Sequence, residues 1–331
     1  MPSNRPRVLL TDHDLHDIAL ERELFERAGI DLRVAQCRTD DDVIRESEGC
    51  CALLVQYAPI NRKVFAARPA IGIASRIGAG YDTIVAADAR DAGVWVANSP
   101  DYGVGEVSLH ALSMLLALIR RLHRLDTDIH DGNWHYTSAG VVPRAQDLTV
   151  GILGLGRIGK RFAHYAQPIF KRLIAHDPYL IDGDFPQYVG RVGLEALFEQ
   201  ADAVSVHCLL TDETRGLVSE SLLERMKPGS YLVNTARGAV VDSDGLVRIL
   251  ASDRLAGVGL DVLPIEPVPA GHPLLSDRRV ILTPHSAFYS AASEIELRRK
   301  AASNIVNWIR NGRPDYPVVV GTRRYAGPLP A

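Results

Sequence analysis

Long apolar runs are missing from this chain of 331 residues. The longest one, Leu109–Ile119, contains His110 and Ser113 and is too short to cross a bilayer. Near the N-terminus only Val8–Leu10 is apolar, which is too brief for the core of a signal peptide. We therefore expect a cytoplasmic protein that makes no membrane contact.

Cysteine is scarce as well, with four residues in the whole chain. Cys50 and Cys51 are adjacent, whereas Cys37 and Cys208 are isolated, so no CxxC or Cys/His ligand spacing occurs. This pattern favours neither a disulfide framework nor a zinc site, and we expect no bound metal.

An excess of charge of one sign is also absent. The chain has 37 Lys and Arg against 40 Asp and Glu, a formal net charge of -3, which gives no reason to expect nucleic acid as a direct partner. Hydrophobic residues make up 47% and charged residues 23%, as in ordinary globular proteins, and the length allows two domains.

What the sequence does contain is a repeated alternation of short apolar runs with helical patterns, the rhythm of a parallel α/β sheet. A first series predicts strands at Arg7–Leu10, Asp31–Val34, Ala52–Val55, Ile71–Ser75 and Val94–Ala97, with a helix at Asp17–Ala28. A long helix is predicted over Val104–Arg124, followed by an irregular connection over Asp126–Gln146.

A second and clearer series follows. It predicts strands at Leu148–Leu153, Arg172–His176, Ala203–His207, Ser230–Asn234, Gly257–Leu260 and Val280–Thr283. Its predicted helices are Arg157–Gln167, Leu194–Glu199, Ser221–Met226, Ser243–Ser252 and Ala291–Arg310. The rhythm therefore predicts two doubly wound α/β units.

A glycine-rich loop follows the first strand of the second series. Gly154, Gly156 and Gly159 have the spacing that permits a tight turn, close approach to a pyrophosphate, and packing of helix on strand. Asp177 ends the next predicted strand, 18 residues beyond Gly159, where a carboxylate can bind both hydroxyls of the adenosine ribose and repel a 2′-phosphate. These residues predict a site for NAD rather than NADP.

Chemically suitable side chains follow three further strands of the same series. Arg237 follows Ser230–Asn234, Glu266 lies beyond Asp261 after Gly257–Leu260, and His285 follows Val280–Thr283. Ligands of open parallel sheets bind outside the carboxyl ends of the strands. We expect Arg237 to hold a substrate carboxylate, His285 to exchange a proton with the carbonyl oxygen, and Glu266 to fix the His285 tautomer and favour its charged form.

The motifs GLGRIG, HDPY, NTARG, LDVLPIEP and LTPHSAFYS, in this order, resemble those of the D-isomer-specific 2-hydroxyacid dehydrogenase family. The resemblance covers about Arg76 to Pro317. It implies that Arg237, Glu266 and His285 are the catalytic residues. It also implies cofactor contacts at Arg157, Ile158, Asp177, Cys208, Thr235, Ala236 and Asp261, in addition to the glycine loop.

The resemblance further implies a domain order that the rhythm of strands and helices does not reveal. A substrate domain would be formed by residues 1–100 and 290–331, with an NAD-binding Rossmann domain at 101–289 inserted between them. Hinges near Pro100 and Ala287 would let a cleft close. Family members are usually dimers through the long helix and the arm that follows it, so a homodimer is expected.

Two segments are most similar to the C-terminal-binding-protein branch of the family, Arg76–Asp82 and Pro284–Ser290. This similarity implies substrate contacts at Arg76, with Ile77 and Gly78 beside it, and an aromatic pocket wall at Phe288. A phenylalanine wall is compatible with a hydrophobic or thioether side chain on the substrate.

The expected activity is NAD-dependent D-2-hydroxyacid dehydrogenation, working mostly as reduction of a 2-oxo acid. One alternative is an NAD(H)-sensing binding protein similar to the corepressors of the same branch, although the intact Arg–Glu–His set favours an enzyme. Glyoxylate or hydroxypyruvate reduction also stays open. Phosphoglycerate dehydrogenase is disfavoured because no third regulatory domain follows, and formate dehydrogenase because Arg76 and a roomy aromatic wall suit a larger substrate.

Overall fold

The computed structural model describes residues 5–328, and within it the chain divides into two compact units. The first unit runs to Tyr102 and resumes at Ser290, and the second unit is Gly103–Tyr289. The chain therefore leaves the first unit and later returns to it.

Thirteen β-strands lie in the described residues. In chain order they are β1 Arg7–Leu10, β2 Asp31–Val34, β3 Ala52–Val55, β4 Ile73–Arg76, β5 Trp95–Ala97, β6 Thr149–Leu153, β7 Arg172–His176, β8 Val189–Arg191, β9 Ala203–Val206, β10 Ser230–Asn234, β11 Leu255–Leu260, β12 Val280–Leu282 and β13 Pro317–Val319.

Eleven α-helices lie in the same described range. They are α1 Ala19–Arg27, α2 Asp40–Glu46, α3 Arg62–Ala67, α4 Ala86–Asp91, α5 Val104–Ile119, α6 Leu122–His130, α7 Arg157–Ala166, α8 Leu194–Gln200, α9 Glu220–Leu223, α10 Ser243–Ala251 and α11 Ala291–Asn311. No helix within residues 5–328 combines the length and apolarity that a membrane crossing needs.

The first unit is built on a six-stranded sheet in the order β2-β1-β3-β4-β5-β13. Its strands are parallel except β13, which returns antiparallel to β5. All four residues of β3 are buried, as expected for a strand covered by helices on both faces. On one face Trp308 of α11 packs so closely on Gly72 that a side chain at Gly72 would collide with the indole ring.

The second unit has a fully parallel seven-stranded sheet in the order β8-β7-β6-β9-β10-β11-β12. α5 and α7 bury Leu115 and Phe162 on one face, whereas α8 and α10 bury Phe198 and Leu246 on the other. Because every strand runs in the same direction, all the carboxyl ends meet at one edge. The strand order reverses between β6 and β9, which is where such sheets bind their ligands.

The predicted long helix over Val104–Arg124 was wrong, because the chain breaks at Arg121. Arg121 adopts a left-handed backbone with φ +54°, between α5 and α6. α5 is anchored by Leu118 and Ile119 in the core, whereas α6 buries no residue at all. Neither glycine nor proline marks this break, so packing of α5 decides it. The first residues of the connection predicted to be irregular are accordingly helical.

Two short strands, β8 and β13, were not predicted. Each has three residues and lies at an edge of its sheet. Strands this short carry too little alternation or apolar length to be recognised from sequence.

Candidate active site

The glycine loop joins β6 to α7, and two of its glycines are required by the protein itself. Gly154 has φ +89°, and a Cβ there would lie 2.6 Å from the backbone nitrogen of Cys208. A Cβ on Gly159 would lie 2.2 Å from the carbonyl oxygen of Gly154. Gly156, in contrast, has nothing within 4 Å of its Cβ position. The space beside Gly156 is therefore open to a ligand, at the N-terminus of a ten-residue helix that can bind phosphate.

Asp177 lies beside this loop at the end of β7. Its Oδ2 accepts the backbone N–H of Leu155 at 2.9 Å, and its Oδ1 accepts that of Tyr179 at 3.1 Å. Each carboxylate oxygen can accept a further hydrogen bond, because an ionised carboxylate has about four acceptor positions. Asp177 is thus held next to the glycine loop and can still bind ribose hydroxyls.

Another predicted cofactor residue, Thr235, directly follows β10. Thr235 is buried, and its Oγ1 has no hydrogen-bond partner among the described residues of the protein. A buried hydroxyl without a partner is costly, so a polar group of a ligand at this edge would stabilise it. With the open space beside Gly156, the residues present fit a bound dinucleotide.

The remaining predicted cofactor residues differ in exposure. Arg157 is exposed as the first residue of α7, and Ile158 and Ala236 are half-buried. Burial raises the pKa of the Cys208 thiol to about 11, so this side chain is neutral at physiological pH. A neutral thiol next to the glycine loop is a polarisable, weakly polar contact surface.

Arg237 is positioned by the loop that follows β10. Asn234 accepts the backbone N–H of Ala236 at 3.0 Å and donates to the carbonyl oxygen of Arg237 at 2.9 Å. A Cβ at Gly238 would lie 2.0 Å from the carbonyl carbon of Leu263. The loops after β10 and β11 are therefore in backbone contact, which brings Arg237 towards Glu266.

Glu266 and His285 form the hydrogen bond that the sequence predicted. Nδ1 of His285 lies 2.7 Å from Oε2 of Glu266, and Oε1 of Glu266 accepts the backbone N–H of Leu263 at 2.9 Å. Burial alone would raise the pKa of Glu266, but the bonds from His285 and Leu263 and the nearby Arg237 outweigh it and leave the pKa below its ordinary value. The ionised Glu266 can only accept, so His285 donates from Nδ1.

Asp261, predicted as a cofactor contact, also binds the segment around His285. It is buried, and its carboxylate accepts the Thr283 hydroxyl at 2.6 Å and the backbone N–H groups of Ser286 and Ala287 at 2.8 and 3.0 Å. Its backbone oxygen also accepts the N–H of His285 at 2.8 Å. Asp261 therefore anchors the loop that carries His285.

This anchor holds His285 in an unusual backbone conformation, with φ +52°. The network continues to α5, where Nε2 of His110 lies 3.0 Å from the Thr283 hydroxyl. Because Thr283 gives its proton to Asp261, His110 must donate to it from Nε2. Sequence reasoning missed Thr283 and His110, although Thr283 directly precedes the Pro284–His285 pair.

The predicted substrate residues are divided between the two units. In the first unit Arg76 ends β4, and its guanidinium donates to the carbonyl oxygen of Ile77. Ile77 itself is buried. Gly78 has φ +151°, and a Cβ there would occupy the place of the Arg76 guanidinium. In the second unit half-buried Phe288 packs against Gly103.

Two polar residues near Arg76 were not predicted. The Tyr57 hydroxyl, after β3, donates to Oδ2 of Asp14 at 3.0 Å. Burial and the Asp14 charge raise the pKa of Tyr57, against the smaller opposite effect of the Arg76 charge. Tyr57 follows β3 and Arg76 ends the neighbouring strand β4, so only the sheet order brings them together.

The fold and the glycine loop define an α/β protein that binds a nicotinamide dinucleotide. The model of the D-isomer specific 2-hydroxyacid dehydrogenase NAD binding domain matches residues 112–287, slightly more than half of the chain. The chain belongs to the D-isomer-specific 2-hydroxyacid dehydrogenase family. It is an NAD-binding oxidoreductase, and the predicted fold class, activity class and cofactor are confirmed.

The proteins similar to this chain include enzymes named for different substrates. A glyoxylate reductase of Korarchaeum cryptofilum is 33% identical over 317 residues, which cover 94% of this chain and 95% of that protein. The structure of D-lactate dehydrogenase from Aquifex aeolicus, complexed with NAD and lactic acid, has a TM-score of 0.86 and 25% identity, covering 96% and 100% of the two chains. An NADPH-dependent glyoxylate/hydroxypyruvate reductase from Sinorhizobium meliloti has a TM-score of 0.83 and 26% identity, covering 97% and 100%.

Proposed function

We propose that this protein reduces a small 2-oxo acid with NADH, using Arg237, Glu266 and His285 as its catalytic residues. The observation that carries the proposal is the 2.7 Å bond between His285 Nδ1 and Glu266, at the sheet edge that also bears Arg237 and the glycine loop. The bond leaves Nε2 of His285 as the ring nitrogen that can exchange a proton with substrate.

The protein's own residues perform the proton and charge steps. His285, protonated, gives the proton on Nε2 to the carbonyl oxygen in reduction and takes the hydroxyl proton in oxidation. The carboxylate of Glu266, held by the backbone N–H of Leu263, accepts from Nδ1 of His285 and so fixes the orientation of the imidazole ring. Arg237 binds the substrate carboxylate with its forked guanidinium and stabilises negative charge as it develops on the carbonyl oxygen. Bound NADH supplies the hydride.

The substrate is a small 2-oxo acid, and we infer glyoxylate or hydroxypyruvate as the first compounds to test, because the similar proteins include reductases of both. Substrate contacts are proposed for Arg76, Ile77 and Gly78 in the first unit and for Phe288 in the second unit. The direct experiment measures NADH oxidation against glyoxylate, hydroxypyruvate, pyruvate and 2-oxo acids with longer apolar or thioether side chains. We expect turnover of at least one. Tight NADH binding without turnover of any would favour the NAD(H)-sensing alternative, which the named relatives do not favour.

Membership in the C-terminal-binding-protein branch stays a prediction. It rests on the segments around Arg76 and His285, whereas the relatives described above are named for glyoxylate, hydroxypyruvate and lactate chemistry. Preference for a substrate with an apolar or thioether side chain over glyoxylate would support the branch through the Phe288 wall.

Replacing Asp177 with alanine is expected to narrow the preference for NADH over NADPH by at least about tenfold, since removing one charge-assisted pair of hydrogen bonds costs on the order of 1.4 kcal/mol or more. The carboxylate binds the ribose hydroxyls and repels a 2′-phosphate. The measurement is the dissociation constant of each nucleotide from protein fluorescence. An unchanged ratio would mean that Asp177 does not read the ribose.

A homodimer is proposed through α5, α6 and the segment that follows them. Trp134, Tyr136 and Val141 in that segment are 86%, 87% and 86% exposed, and α6 buries no residue within its unit. Exposed large apolar side chains in one segment are typical of a protein–protein contact. Sedimentation velocity should give a species of twice the chain mass, and a monomer at micromolar concentration would contradict the proposal.

A further inference from the structure

The Tyr179 side chain joins the loop that follows β7 to the loop that follows β9 in the second unit. Tyr179 follows β7 and Glu213 follows β9, while the glycine loop follows β6, the strand between them. The Tyr179 hydroxyl donates to Oε2 of Glu213 at 2.5 Å. The bond therefore connects the two sides of the site at which the cofactor phosphates and ribose are expected.

The same tyrosine is tied to Asp177. Its backbone N–H donates to Oδ1 of Asp177, so one residue contacts two carboxylates at opposite ends. The hydrogen bond to Glu213, with the charges of Glu213 and Asp177, raises the pKa of the Tyr179 phenol above its ordinary value. The phenol is protonated, and it donates its hydrogen to Glu213.

We propose that Glu213 is a second residue that determines cofactor choice, held by Tyr179 so that its charge acts with that of Asp177 against a 2′-phosphate. Tyr179 is the positioning residue. The inference rests on the proposed binding of the adenosine ribose by Asp177, and it adds a residue that neither the glycine loop nor the strand-end pattern identifies.

The geometry sets the size of the effect. The two carboxylates are linked through the Tyr179 residue and its two hydrogen bonds, so their separation is on the order of the Debye length of about 8 Å at physiological ionic strength. Tyr179 is 75% exposed, so water screens the interaction. A phosphate of charge near -2 at such a distance from one carboxylate, in a water-like dielectric, should bind about fivefold more weakly when salt does not screen the charges, and about twofold more weakly at physiological ionic strength.

A purely structural reading makes a different prediction. If the hydrogen bond only holds the two loops together, nucleotide binding should depend on an acceptor oxygen at position 213 and not on the negative charge there. Glu213→Gln keeps an oxygen that accepts the Tyr179 hydroxyl but removes the charge, whereas Tyr179→Phe removes the bond and leaves the charge. Both side chains are exposed, and exposed polar contacts contribute little to stability, so both variants should fold.

The experiment measures the dissociation constants of NADH and NADPH by protein fluorescence, without substrate, in low and high salt. We expect Glu213→Gln to tighten NADPH about fivefold at low salt with less than about twofold change for NADH, and the gain should shrink at high salt. Tyr179→Phe should tighten NADPH less than Glu213→Gln, because the released carboxylate keeps its charge. Glu224→Gln, an exposed charge removed after α9, is the matched control and should leave both constants unchanged.

The outcomes separate this inference from the proposed function. If Asp177→Ala changes the NADPH to NADH ratio but Glu213→Gln does not, the role of Glu213 is wrong and that of Asp177 stands. If Tyr179→Phe and Glu213→Gln weaken NADH alike and leave the ratio unchanged, the hydrogen bond is only structural. If Asp177→Ala also leaves the ratio unchanged, the proposed ribose contact itself is wrong.

Discussion

Replacing His285 is expected to lower kcat for 2-oxo acid reduction by about 10²- to 10⁴-fold, the range typical of losing a general acid or base. NADH should still bind, because no residue proposed to hold the adenosine or the pyrophosphate is altered. The choice of replacement matters, since His285 has φ +52°. Asparagine adopts this conformation more readily than alanine, so His285→Asn removes the imidazole with less strain in the loop.

Glu266→Gln is the companion variant for this test. Glutamine has one acceptor oxygen where glutamate has two, so it can accept from His285 Nδ1 or from the backbone N–H of Leu263 but not from both, and it carries no charge. We expect a smaller fall in kcat than for His285→Asn, because the proton donor remains while the charge of the carboxylate that orients it is lost. His164→Asn, at an exposed position in the last turn of α7, controls for loss of a histidine elsewhere.

Both variants are compared at one saturating substrate concentration and with measured NADH binding. Wild-type kcat in His285→Asn, with the fold intact by circular dichroism, would show that another group delivers the proton. A larger loss for Glu266→Gln than for His285→Asn would contradict the order of roles, because a supporting carboxylate cannot matter more than the group it supports.

Replacing Arg237 with alanine is expected to lower kcat/KM by about 10²-fold or more, since truncating one partner of a hydrogen-bonded charge pair costs about 2–5 kcal/mol. The loss should appear in KM, through the substrate carboxylate, and in kcat, through the charge that develops on the carbonyl oxygen. NADH affinity should change little. Steady-state kinetics over a range of 2-oxo acid concentrations separates the two parameters.

Arg237→Lys distinguishes charge from geometry. Lysine retains the positive charge but offers a point donor in place of the planar fork that matches a carboxylate. We expect it to restore only part of the activity lost in Arg237→Ala. Full activity in Arg237→Lys would mean that charge alone is needed, and full activity in Arg237→Ala would place carboxylate binding elsewhere, with Arg76 as the first candidate.

Much of the site is visible in the sequence because its requirements are local. The turn at Gly154 needs a positive φ and close approach to Cys208, and both exclude a side chain at that position. β10 is buried along its whole length, so its apolar run is recognisable, and Arg237 follows at a fixed short distance. The pairing of Glu266 with His285 was also predictable, because β11 and β12 are neighbouring parallel strands whose ends meet.

By itself the sequence determined six of the seven strands of the second sheet, the glycine loop, Asp177 and the residues that follow β10, β11 and β12. Only the tertiary structure decided the break at Arg121, the use of Asp261 to anchor the His285 loop through Thr283, and the contact of Tyr179 with Glu213. The physical reason is that all three features depend on contacts between residues whose separation along the chain says nothing about their separation in space. Tyr179 and Glu213 meet because β7 and β9 flank β6, an order that packing of the helices sets and no local pattern records.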